Sequence, residues 1–148
     1  MPSTSTPFFT DRIRKPATLK RVKKWIEALE SGEYEKGKGA LRASGAPVDH
    51  SLTYCCLGVA CDIWNPHEWR ILQDSDNFYN HPLGAPLRSG DRAVGRLPEN
   101  CSFLSRKGLS LYALTPEAQG RLAMLNDNSN SYKPIIKLLK AELAKALA

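Results

Sequence analysis

The sequence predicts an α+β fold: a single compact domain with a buried central helix, N- and C-terminal helices, and a small antiparallel sheet or irregular middle layer. Three observations carry that expectation. The run Tyr54-Cys55-Cys56-Leu57-Gly58-Val59-Ala60-Cys61-Asp62 holds three of the four cysteines in one apolar stretch. At helical spacing Cys56, Val59, Ala60 and Ile63 form one stripe and Leu57, Cys61 and Trp64 a second, so this helix is apolar most of the way round and belongs inside. Amphipathic patterns stand near both ends of the chain, and the region between Asn65 and Asn100 is broken by proline and glycine.

In chain order, residues 1–16 are rich in Ser, Thr and Pro and read as a flexible N-terminal arm, leaving residues 17–148 as one globular domain. A first helix is expected from Thr18 to Ser31, with Thr18 as cap, Val22, Trp25, Ile26 and Leu29 on its buried face, and Gly32 closing it. The glycines of Lys36-Gly37-Lys38-Gly39 disfavour helix and predict a turn or short extended segment through Arg42, and Ser44 to His50 reads as a loop. The central helix should begin between Tyr54 and Cys56 and stop at Asn65-Pro66, since proline restricts the residue before it. Short strands are expected at Arg70 to Leu72, Ala93 to Leu97, Cys101 to Leu104 and Leu109 to Leu114, with Lys107-Gly108 as a turn. Thr115-Pro116-Glu117 supplies a cap, a first-turn proline and an early acid for a helix to Asn126. A last helix follows from Lys133 to Leu147.

Composition bounds the function. The 148 residues are 42% hydrophobic and 24% charged, as in an ordinary globular protein. An apolar run near membrane-spanning length and a charged-then-apolar leader are both missing from the sequence, so a cytoplasmic protein with no membrane partner is expected. In that compartment thiols stay reduced, and the cysteines read as buried side chains, ligands or nucleophiles rather than a disulfide framework. The net charge of +6 is local: residues 1–24 hold seven basic groups against Asp11 alone, while residues 25–148 balance. The stretch from residue 12 to 24 is therefore either a solvated basic face or an attractor for nucleic acid, though without a known reader motif.

Four blocks, Trp25 to Tyr34, Lys36 to Arg42, Tyr54 to Asp62, and Leu125-Asn126-Asp127 before a terminal helix, give the chain a resemblance. It resembles a family of small proteins encoded by tailed bacteriophages and prophages, over residues 22–64 and 113–148. Residues 65–112 carry no matching pattern. The resemblance brings no biochemical activity; it implies a phage accessory protein acting in the cytoplasm of an infected bacterium.

Two chemistries remain open. Cys55 and Cys56 stand where a helix dipole can lower a thiol pKa, and His50, His67 and His81 are available as bases, which would make a thiol-dependent hydrolase. Apolar flanks on both sides favour plain core packing. The spacing Cys-Cys-x4-Cys lacks the paired cysteines of structural zinc sites, so neither metal nor cofactor is expected. The second candidate is an anion site at Lys36, Lys38 and Arg42, where glycines would let backbone N–H groups approach a phosphate and the basic side chains would supply charge and a bidentate fork. It is not a Walker loop. Asn126 and Asp127 are added as polar contacts, against the simpler reading of a capped helix end. The preferred expectation is a non-catalytic binder of a host protein or of an anionic, phosphate-bearing small molecule, such as a nucleotide signal of antiviral defence.

Overall fold

The computed structural model describes residues 7–44, 52–71, 78–84 and 103–148. They form an α+β domain with five α-helices: α1 (Pro16–Glu30), α2 (Cys56–Trp64), α3 (Arg106–Leu111), α4 (Pro116–Asp127) and α5 (Lys133–Leu147). Five short strands, β1 (Glu35–Lys36), β2 (Arg42–Ser44), β3 (Leu52–Tyr54), β4 (Arg70–Ile71) and β5 (Phe78–Asn80), make one sheet in the order β1-β3-β2-β5-β4. The sheet is mixed rather than purely antiparallel, because β1 pairs parallel to β3 while the other pairs are antiparallel. Among the described residues, no helix is long and apolar enough to cross a membrane.

The helix α2 is the centre, as its sequence requires: Cys56 through Cys61 are all buried. It packs against α1 and α4, and α5 packs against both of those helices. Two of its carbonyls accept a further hydrogen bond from buried aromatic side chains, which fixes those rings against it. Trp25 Nε1 donates to Cys56 O at 2.9 Å, and the Tyr112 hydroxyl donates to Ala60 O at 2.6 Å. Gly58 is the point of closest approach, since a Cβ there would stand 1.7 Å from Leu41 O. Glycine in this helix is thus imposed by the chain entering β2, which lies directly on it.

The N-terminal reading needs correction over residues 7–16. Phe8 and Phe9 are buried with rings 4.9 Å apart, and Phe9 bridges Leu114. Thr10 N–H donates to Ala113 O at 2.8 Å, the Thr115 hydroxyl donates to Pro7 O at 2.8 Å, and a 3-10 turn over Asp11–Arg14 leads straight into α1. Two adjacent phenylalanines outweigh the polar composition around them. The cap of α1 also moves, from Thr18 to Lys15, because Pro16 is pre-organised for a first turn, and Thr18 is buried within the helix. Gly32, with φ of 78°, follows its end.

Leu109 to Leu114 is not a strand. Ser105 caps α3 by accepting from Gly108 N–H at 3.2 Å, so the expected turn at Lys107-Gly108 is helical. The helix closes with Leu114 N–H donating to Leu109 O at 2.9 Å around Ala113 in the left-handed region, a Schellman closure built on alanine. Strand expectations at Arg70–Ile71 and the caps at Thr115-Pro116 hold, with Thr115 Oγ1 accepting from Ala118 N–H at 3.2 Å. The strand expected at Ala93 to Leu97 lies outside the described residues, as do Leu72 and the loop beyond Ser44.

Candidate functional site: an arginine on an aromatic sheet face

Pairing registers place Lys36 opposite Tyr54, Tyr54 opposite Arg42, and Arg42 opposite Tyr79. Four side chains from β1, β3, β2 and β5 thus share one cross-strand row, and neighbours in such a row project from the same face. The Arg42 guanidinium lies 4.4 Å from the Tyr79 ring centroid, 5.3 Å from Trp69 and 5.8 Å from Tyr54. The aromatic wall continues from Tyr34 to Tyr54 (5.0 Å), Tyr54 to Trp69 (6.1 Å), Trp69 to His81 (4.8 Å) and His81 to Trp64 (6.3 Å), all edge to face.

Asp62, in the last full turn of α2, fixes two of these rings. Its carboxylate accepts from the Tyr34 hydroxyl at 2.6 Å and from Trp69 Nε1 at 2.9 Å. Burial and that carboxylate push the Tyr34 phenol pKa up, so it remains a donor at neutral pH. His81 accepts at Nδ1 from Leu83 N–H (3.1 Å), which leaves Nε2 as the protonated nitrogen donating to Asn65 O (2.9 Å). Burial lowers its pKa and holds it neutral.

Arg42 itself is less well provided for. Its Nε is buried with no hydrogen-bond partner, and so is Ser44 Oγ, two residues along the same strand and hence on the same face. No carboxylate pairs with the Arg42 guanidinium among the described residues. Lys36 is half-buried and stands beside exposed Lys38. Desolvation, then the Lys38 charge, lowers the Lys36 pKa.

The glycines of the Lys36–Gly39 loop do not form a phosphate cradle. Gly37 N–H already donates to Tyr54 O and Gly39 N–H to Asp127 Oδ1, each at 2.9 Å. With φ of 74°, Gly39 adopts a backbone that few other residues reach. Asn126 and Asp127 hold this loop in place of a ligand. Asn126 is fully buried, and its Oδ1 accepts from Cys56 N–H at 3.0 Å while its Nδ2 donates to Gly37 O at 2.9 Å. One side chain on α4 therefore ties the first residue of α2 to the loop after β1, which is why three distant sequence blocks meet.

The thiols are sealed. Cys55, Cys56 and Cys61 are buried, and burial pushes the Cys55 pKa up to about 12 and those of Cys56 and Cys61 well above the ordinary thiol value. Desolvation exceeds the stabilisation from the backbone amides at the helix start, so the dipole argument for a reactive thiolate fails on its opposing term. His81 faces tryptophans, His67 is an exposed turn residue, and His50 and Cys101 lie outside the described residues. Sequence reasoning missed Tyr34, Tyr54 and Asp62 although they stand in its own motif blocks. It also missed Trp69 and Tyr79, which lie where no pattern was visible.

Fold and site together define an α+β protein whose candidate site is a cation on an aromatic sheet face, with the thiols of Cys55, Cys56 and Cys61 packed in the core. The chain belongs to the family described as Domain of unknown function (DUF8296), which matches residues 18–143. No curated protein and no solved structure matches it.

Proposed function

We propose that the protein is a non-catalytic binder of a phosphate-bearing small molecule, with Arg42 as the anion contact, Lys36 adding charge from the same row, and the Tyr54, Trp69 and Tyr79 rings offering a stacking surface for a base. The observation that carries this reading is the half-buried guanidinium without an acidic partner among the described residues, set among three aromatic rings on the strand that also carries an unpartnered Ser44 hydroxyl. A cation in such low-dielectric surroundings attracts an anion more strongly than one in water. A nucleotide meets both halves of the surface. Following the resemblance to tailed-phage proteins, we extend the proposal to a nucleotide signal of antiviral defence, captured in the infected bacterial cytoplasm.

Thermal shift with a panel of mononucleotides and cyclic oligonucleotides tests the reading, because a ligand at 100 times its Kd stabilises by about 2.7 kcal/mol. Arg42→Lys is the diagnostic variant: it keeps the charge but loses the planar fork, and should weaken binding by about 1–3 kcal/mol. If no phosphate compound shifts the Tm, or if Arg42→Lys responds as the parent does, the anion reading is wrong and a host protein becomes the partner to seek.

A further inference from the structure

We propose that a second face of the protein, where the basic start of α1 meets Trp64, binds single-stranded nucleic acid. The charge excess of the N-terminal region sits on ordered structure, since residues 11–24 form the 3-10 turn and the first turns of α1. Lys20, Arg21 and Lys24 of that helix line an open cavity of about 210 Å³ together with Trp64 of α2 and Tyr112. Among the described residues its lining contains three cations and no acid. From α3, Lys107 adds a fourth, its ammonium 4.9 Å from the centroid of the Trp64 ring.

Lys20, Lys24 and Lys107 are exposed, and none has a carboxylate partner among the described residues. Arg21 is held in place by donating from Nη1 to Leu111 O at 2.7 Å. Such like charges repel one another unless an anion comes between them. Lys20 and Lys24 are separated by one helical turn, about 6 Å along the axis, a spacing that lets two neighbouring phosphates of an extended strand be met at once. Trp64 is half-buried, with an indole that an unstacked base can pack against. A duplex keeps its bases inside, so this combination of one aromatic ring and a ring of cations fits a single strand.

Fluorescence anisotropy of a labelled oligothymidylate titrated with the full chain tests this. Affinity should fall with salt at a log–log slope of about −2 to −3, from about 0.7 per phosphate contact over three or four cations. Lys20→Gln with Lys24→Gln, on exposed positions that leave the core intact, should flatten that slope by about 1.4. Trp64→Leu, which keeps an apolar side chain, should weaken binding on the order of tenfold without changing the slope. The Lys20→Gln/Lys24→Gln variant should keep whatever Tm shift a mononucleotide gives the parent, because neither lysine lies on the sheet face, and this separates the two sites. Absence of binding at about 10⁻⁴ M protein in low salt, retention of full affinity in the double lysine variant, or indifference to Trp64→Leu together with equal affinity for duplex would each overturn the proposal.

Discussion

Replacing Asn126 tests the linkage that assembles the sheet against α2. Asn126→Ala removes an acceptor from Cys56 N–H and a donor to Gly37 O, both in the interior. A buried backbone group deprived of its partner costs about 1–3 kcal/mol, so two such groups give a loss of about 2–6 kcal/mol. That is a large share of the stability of a domain this size, and Tm should fall by roughly 10 °C. Asn126→Asp separates hydrogen bonding from volume. The aspartate still accepts from Cys56 N–H, but as a carboxylate it cannot donate to Gly37 O and opposes it with a second acceptor. Burial would raise its pKa above the unfolded value, so the penalty is full at neutral pH and shrinks as pH falls through the folded pKa, where the protonated acid can donate. Chemical denaturation at neutral and mildly acidic pH reads this directly. Asn126→Ala within about 1 kcal/mol of the parent, or Asn126→Asp with a deficit independent of pH, would refute the argument that this side chain carries the junction.

Gly58→Ala should destabilise beyond the usual overpacking range of about 1–3 kcal/mol, because backbone rather than a movable side chain blocks the new Cβ; a soluble variant with parental Tm would contradict the packing described. Native Cys55 and Cys56 should resist alkylation at neutral pH and react on unfolding, measured by mass spectrometry against a denatured control. The Cys55 pKa of about 12 against an ordinary 9.0 means a neutral thiol is favoured by folding. That stability is fully present below pH 9.0 and is lost as pH rises towards 12, so denaturation midpoints should drop in this alkaline window. Phe9→Ala should cost about 3–5 kcal/mol, whereas a loose arm would leave Tm unmoved. Arg42→Met should leave stability within about 1 kcal/mol of the parent, since a buried Nε without a partner offsets the cation–π attraction; a loss above about 2 kcal/mol would assign Arg42 to structure rather than ligand.

What the sequence made legible follows from where its signals come from. The helix α2 was plain because an unbroken apolar run has only one destination, and α4 and α5 because Thr115, Pro116 and Leu-rich periodicity act locally. The helix α3 was hidden: Leu109 to Leu114 is too short and apolar for its period to discriminate, and its cap Ser105 and alanine-based closure carry weak signals. Phe8 and Phe9 carry no signal in the composition of their segment, because Ser, Thr and Pro around them dominate it. The glycine and lysine loop reads in the sequence as an anion site, yet the N–H groups of Gly37 and Gly39 serve Tyr54 and Asp127 rather than a ligand. For the sheet face the obstacle is deeper. Strands of two or three residues are too short to show alternation, and the row Lys36, Tyr54, Arg42, Tyr79 exists only once β1, β3, β2 and β5 are paired. Each member alone resembles an ordinary surface residue. Their meaning lies in a missing partner, the unmatched Nε of Arg42 amid rings that cannot accept a strong hydrogen bond, and only coordinates reveal that kind of absence. Keeping such a group adds no stability over an apolar side chain on the same aromatic wall, because the unpartnered Nε offsets the cation–π attraction, and this is the physical ground for seeking the ligand at Arg42 before anywhere else on the sheet.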